Sequence, residues 1–406
     1  MDQGDDGDGQ TANAEYSIRV AAGIGAFTCD EWNGFGGTTR GDASNAYNPL
    51  VSFAFLSALE DSGCAVRRTG WQGHHLRLET AEGKLLGAVP CYLKSHSQGE
   101  YVFDHGWSDA FERAGGRYYP KLQCAVPFTP VTGPRLLVSK GEDGNTVKAG
   151  LAAGLKAVTE KLGVSSAHVT FAQEADIATL EAAGFLHRTD QQFHFFNEGF
   201  STYDDFLATL ASRKRKAMKK ERREALAPGI SIDWLTGKDL TERAWDAFFA
   251  FYTDTGSRKW GRPYLNREFF SLIGERMADD ILLVMAKRNG RYIAGAINFI
   301  GSDALYGRNW GCVEDHPFLH FEVCYHQAID FAIDRKLKVV EAGAQGEHKL
   351  ARGYRPVTMH SAHYIAHPGL RNAVADYLRR ERREVERMGE YLEEHTPFRK
   401  APSDEE

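Results

Sequence analysis

Residues 281–300 read ILLVMAKRNGRYIAGAINFI. An apolar run from Ile281 to Lys287, a turn at Asn289-Gly290-Arg291 and a second run from Tyr292 to Ile300 predict a β-hairpin. The same order occurs earlier: His74, Leu76 and Leu78 alternate, Glu82-Gly83-Lys84 supplies a turn, and Leu85 to Leu93 returns. Both return strands carry a Gly-Ala step, Gly87-Ala88 and Gly295-Ala296. An aromatic strand is predicted next in each half, Tyr101 to Trp107 and Leu305 to Trp310, then a helix, Thr146 to Leu162 and Phe318 to Arg335. Short apolar strands follow, Ala167 to Phe171 and Lys338 to Glu341. Brief helices then end at Ala183-Gly184-Phe185 and Arg352-Gly353-Tyr354, and the last strands are Gln191 to Phe196 and Met359 to Ile365. This succession, met twice, predicts an α/β (α+β) fold with mixed sheets.

At 406 residues the chain exceeds what one core usually supports, so two domains are expected. The reading places an acidic tail at 1–14, one half at 15–196, a second at 197–367, a closing helix at 368–395 and another tail at 396–406. The second half includes a basic linking helix, 206–226; the closing helix, 368–395, is expected to pack on the first half. A formal charge of -6 argues against a surface built throughout for nucleic acid or anionic membrane. Six scattered cysteines without a C-x-x-C pair fit a reduced, cytoplasmic protein. The start Met1-Asp2-Gln3-Gly4 lacks the basic and apolar stretches of an export signal, and no apolar run approaches a bilayer's thickness, so neither is expected. The histidines form neither H-E-x-x-H nor finger spacing, so no metal site is expected.

Several stretches carry a family likeness: Ser212 to Lys216 (SRKRK), Tyr306 to Gly311 (YGRNWG), Leu319 to Tyr325 (LHFEVCY), Glu341 to Gly353 (EAGAQGEHKLARG) and, in the first half, Val126 to Arg135 (VPFTPVTGPR). They resemble the FemAB-like peptidoglycan biosynthesis/recognition family, from about Phe27 to about Leu378. The resemblance implies two tandem GNAT-like acyltransferase domains and N-acyltransferase activity. It also implies kinship with enzymes that add amino acids from aminoacyl-tRNA to peptidoglycan precursors. The implied donor is acyl-CoA or aminoacyl-tRNA and the acceptor a small-molecule or peptide amine. A conventional CoA pyrophosphate loop is not evident: where acetyl-CoA enzymes place a Gly-rich turn, this chain has Val313-Glu314-Asp315-His316-Pro317-Phe318-Leu319-His320.

Acyl transfer to an amine needs a base, donors for the oxyanion and an acid for the leaving group. Glu341, at the end of an apolar strand, is a candidate base if not paired with Arg308 or Arg352. Glu322 is a second candidate, or a helix-start carboxylate, with His320 beside it. Tyr325 is a candidate leaving-group acid or a wall residue, and Cys324 reads as core. His348 with Lys349 and Arg352, near Gln345 and Glu347, would hold an anionic or carbonyl group, or simply cap a helix. Arg308, Asn309 and Trp310 end a strand beside the expected cleft. The linking helix concentrates Arg213, Arg215, Lys216, Lys219 and Lys220, which would bind phosphate or tRNA, or form a solvated face paired with Glu381, Glu384 and Glu386. Two functions are compatible with these residues: N-acyl or aminoacyl transfer, and non-catalytic recognition of a peptide, precursor or RNA on a degenerate acyltransferase fold.

Overall fold

The computed structural model describes residues 16–41, 46–227, 229–259, 263–343 and 346–399. Among them, strands run as β1 (Tyr16–Ala21), β2 (Trp71–Gly73), β3 (His75–Thr80), β4 (Leu85–Val89), β5 (Cys91–Lys94), β6 (Lys121–Cys124), β7 (Leu137–Val138), β8 (Ser166–Ala172), β9 (Leu186–Phe196), β10 (Ile230–Leu235), β11 (Ile281–Arg288), β12 (Arg291–Ile300), β13 (Ala304–Cys312), β14 (Val339–Glu341) and β15 (Arg355–Ile365). Four form a small sheet in the order β1-β3-β4-β7; the other eleven form one continuous sheet, β10-β11-β12-β13-β14-β9-β15-β8-β6-β5-β2.

The predicted second-half hairpin is β11–β12. Asn289 and Gly290 both have positive φ, 51° and 74°, as a two-residue primed turn requires. Side chains of β11 alternate between two cores. Ile281, Leu283 and Met285 face a cluster with Trp245, Phe248 and first-half residues such as Phe55. Leu282, Val284 and Ala286 face a cluster with Val323, Ile329 and Phe331. A strand buried on both faces reads as continuous apolar sequence, which is why 281–286 shows no polar alternation.

In each half a parallel pair, β6 with β8 and β13 with β14, is followed by an antiparallel strand. That strand comes from the other half: β9 pairs with β14, and β15 pairs with β8 as well as β9. The halves exchange their last strands, so a single sheet runs through both. The closing helix, Pro368–Glu394, sets Leu370, Val374 and Leu378 against Trp107 and Tyr118 of the first half, and its Glu381 accepts from Nε and Nη2 of Arg188.

Three expectations are corrected. The first-half return strand divides at Pro90, which has no N–H for a ladder; β4 stays in the small sheet while β5 enters the large one. The segment 101–107 is not a strand, because His105–Arg113 is a helix that turns Trp107 and Phe111, four residues apart, into one cluster. The linking helix is two, Tyr203–Thr209 and Ser212–Leu226, broken where Leu210 adopts extended backbone and bridges to Phe398. Ala211 N–H donates to the Pro397 carbonyl at 3.0 Å, and Arg355 lies 4.5 Å over the Phe398 ring, so 397–399 is docked rather than a free tail. The tail expectations for 1–14 and 400–406 lie outside the described residues.

Candidate active site

Strands β13 and β14 pair only over Ala304–Tyr306 and Val339–Glu341; beyond Tyr306, β13 runs on to Cys312 without β14 beside it. The notch between them opens into a cavity of about 450 Å³. Clefts beyond the carboxyl ends of parallel strands are where α/β sheets bind ligands. The corresponding notch of the first half is filled by that half's own motif. Fully buried Arg135 donates to the carbonyls of Val131 (2.7 Å) and Thr170 (3.0 Å), and Gln192 donates to the Pro130 carbonyl (3.0 Å).

Local irregularities aim side chains into the open notch. Between the pairs Ala296↔Trp310 and Asn298↔Gly307, β12 has one residue and β13 two, a bulge that presents Arg308 and Asn309 along the cavity. On the helix after β13, Leu319–Phe321 passes into a π-helical turn, Glu322–His326, before α-helix resumes at Gln327–Asp334. The wider turn leaves His320, Cys324 and Tyr325 together on the cavity wall. The sequence reading put Cys324 in the core; it is half-buried and lines the cavity. After β14, Gly346 has φ +109°, and a Cβ there would lie 2.4 Å from Cε1 of His348, so glycine at 346 makes room for the imidazole.

The assembled chemistry is a neutral proton-handling pair beside two cations. His348 Nε2 lies 2.9 Å from the Tyr325 hydroxyl. Burial, reinforced by Arg352 and Lys349, holds the His348 imidazole below its usual range, while burial pushes the Tyr325 phenol up. The imidazole therefore accepts and the phenol donates at neutral pH. Lys349, 1% exposed, donates to the Gly343 carbonyl at 2.7 Å, and burial brings it down to about 8. Arg308 donates to the Phe128 carbonyl from across the junction with the first half. Trp310 and His320, with ring centroids 5.1 Å apart, complete the wall.

Other residues singled out in the sequence lie elsewhere. Glu341 does not reach the cavity: the residue is 8% exposed, its buried Oε2 has no hydrogen-bond partner, and burial raises the carboxyl to about 8 against the opposing charge of Arg135. Neither Arg308 nor Arg352 pairs with it. Glu322 is fully buried away from the cavity, where Arg222 (2.9 Å) and Gln327 (2.7 Å) occupy its carboxylate. Arg352 is committed to Glu221 at 2.7 and 2.8 Å and to the His348 carbonyl at 2.6 Å. Gln345 and the side chain of Glu347 lie outside the described residues. On the basic helix, Arg213, Lys216, Lys219 and Lys220 are exposed and Arg215 half-buried. Lys219 pairs with Asp204 and Lys220 with Glu224, not with the closing helix, whose Glu381 serves Arg188. The sequence reading missed Asn298 and Tyr252, which line the cavity, and Glu221, the one acid interrupting the basic run, which ties that helix to the site.

Residues 24–400 match the FemAB-like family, peptidoglycan biosynthesis/recognition. The chain belongs to that family. The crystal structure of FemX is similar over 81% of this chain and 95% of its own, with TM-score 0.52 and 12% identity. L-PGS from Bacillus licheniformis covers 79% of this chain and 95% of its own (TM-score 0.48, 8% identity). A tandem GNAT protein from the clavulanic acid biosynthesis pathway covers 87% and 99% (0.43, 12%). The likeness to FemX concerns the fold, which in this FemAB-like chain is a mixed α/β structure built on mixed sheets. No curated protein sequence matches the chain. No helix among the described residues is long and apolar enough to cross a membrane, and none of their His, Cys, Asp and Glu side chains group as a metal site.

Coenzyme A does not fit the turn after β13. A cavity of about 370 Å³ lies there, but Glu314 and Asp315 line it, and Pro317 has no N–H to offer a pyrophosphate. Phe318, at φ +63°, holds the turn in a left-handed kink.

Proposed function

We propose that this FemAB-like protein transfers an acyl or aminoacyl group to an amine, with the reacting atoms in the notch between β13 and β14. The observation that supports this most is the Tyr325–His348 pair, neutral and hydrogen-bonded, in a cavity whose only charged lining residues among those described are cations. The amine nitrogen attacks the carbonyl carbon of an activated ester; its surplus proton passes to the Tyr325 oxygen as the phenol proton moves to His348 Nε2. The oxyanion forms in a positive environment, the carbon–oxygen bond to the carrier breaks, and the proton returns along the same pair to the leaving oxygen. An aminoacyl ester on a phosphate-rich carrier such as tRNA suits the basic face of Ser212–Leu226 better than CoA suits the turn at 313–318. The acceptor is read as a peptide or cell-wall precursor amine.

His348→Gln and Tyr325→Phe are expected to lower kcat by roughly 10²–10³-fold with smaller changes in KM. The wild-type rate should fall as pH drops below the usual histidine range, because protonated His348, facing Tyr325, Lys349, Arg352 and Glu221, can no longer accept. Steady-state kinetics of both variants across pH checks this; an undiminished kcat contradicts the assignment. A second reading, recognition without chemistry, is favoured by the lack of a carboxylate on the cavity wall among the described residues. It predicts binding of a precursor peptide with no amide product.

A further inference from the structure

Lys349 and Arg308 share one cavity, and among the described residues no carboxylate lines it or pairs with either. Lys349 is almost fully buried and, among the described residues, its ammonium donates to one partner, the neutral Gly343 carbonyl, which leaves two of its three N–H bonds for something else. Arg308 gives an N–H to the neutral Phe128 carbonyl and has the Tyr101 phenol beside it, but no carboxylate. Buried Glu341 does not line the cavity, and the charge it feels is that of Arg135. A buried ammonium beside a half-buried guanidinium, with no counter-charge among the described residues, is unfavourable unless an anion joins them.

Building on the proposed transfer reaction, we infer that the substrate group entering this cavity is itself anionic, a carboxylate or a phosphate, held by Lys349 and oriented by Arg308. Such a seat fixes the substrate by its permanent charge while the Tyr325–His348 pair acts on the neighbouring carbonyl or amine. The adjoining cavity, with Glu314 and Asp315, repels the same anion and directs it inward. Lys349 is thereby a positioning and specificity residue rather than the base.

The test is calorimetric titration of the whole protein with two probes: inorganic pyrophosphate for phosphate, and N-acetyl-D-alanine for a peptide carboxylate. One of them should bind the wild type, the affinity should weaken with added KCl, and it should fall at least tenfold in Lys349→Met. Lys349→Arg should keep it within a few-fold, and circular dichroism establishes that each variant is folded. Should Lys349→Met fail to fold, Lys349→Gln replaces it. Failure of both probes to bind wild type, or equal binding by the charge-free variant, overturns the inference. Anion binding without turnover upholds it while removing the transfer reaction; turnover with no anion binding does the reverse.

Discussion

Replacing Glu341 by glutamine should raise the melting temperature, and raise it more at pH 9 than at pH 5. The folded chain holds the Glu341 proton until about pH 8, because burial opposes the charge more than Arg135 favours it. The unfolded chain releases that proton near the ordinary carboxylate value. Between the two, the folded state binds the extra proton, so this residue's contribution to stability falls as pH rises and is fully lost above about 8. Glutamine has nearly the same shape and never ionises. The variant should match wild type near pH 4 and exceed it by roughly 2–4 kcal/mol above pH 8, a discounted figure for one strongly shifted buried carboxyl. Because Oε2 has no hydrogen-bond partner, the substitution sacrifices no acceptor contact there. Chemical denaturation of both proteins at several pH values measures the difference directly. A gap that does not grow with pH would mean the carboxyl is solvated or paired.

Glu221→Ala should act in the opposite direction. Glu221 receives Arg352 through two nitrogens and His326 through Nε2 at 2.8 Å, with side chains of Arg352 and Glu221 8% and 13% exposed and that of His326 wholly buried. Removing the carboxylate strands a nearly buried guanidinium, for which the expected loss is about 3–5 kcal/mol. The consequence extends to function. Arg352 also donates to the His348 carbonyl and lies 3.3 Å over the Phe321 ring, so it braces the short helix that carries His348. Equilibrium unfolding should show the loss, and kcat should drop together with it; a loss under about 1 kcal/mol would place this network among ordinary surface pairs. Glu221→Gln, which keeps an acceptor oxygen, should fall between.

What the sequence made legible follows from which signals are local. The β11–β12 hairpin, the 144–162 helix and the parallel strands β8 and β14 show in apolar runs and turn residues, which depend on neighbours a few positions apart. The exchange of β9 and β15 does not. Both are long strands in the middle of a sheet, and nothing in 186–196 or 355–365 marks which half supplies the partner. Pro90 was a visible signal for dividing the first-half return strand, and the four-residue spacing of Trp107 and Phe111 was a visible signal for a helix.

The candidate site shows the same division. Tyr325, His348, Lys349 and the Arg308–Trp310 stretch were found because they sit in motifs at element ends. Glu322, read as a base or a helix-start carboxylate, is held by Arg222, a hundred residues away on the basic helix, a pairing that no local signal marks. Cys324, read as core, does pack against the core while also lining the cavity, on the π turn at Glu322–His326 that no sequence signal marks. The bulge opposite Ile297 is equally invisible in sequence.

The claim on which the rest depends is that substrate occupies the notch between β13 and β14. A crystal structure of the protein with a 3′-aminoacylamino-adenosine, a non-hydrolysable stand-in for an aminoacyl ester, tests it most directly. The aminoacyl group is expected within hydrogen-bonding reach of Tyr325 and Lys349. A ligand seated instead in the larger groove of about 850 Å³ between Ile24–Asp61 and Glu275–Asp280, with the notch left empty, would contradict it.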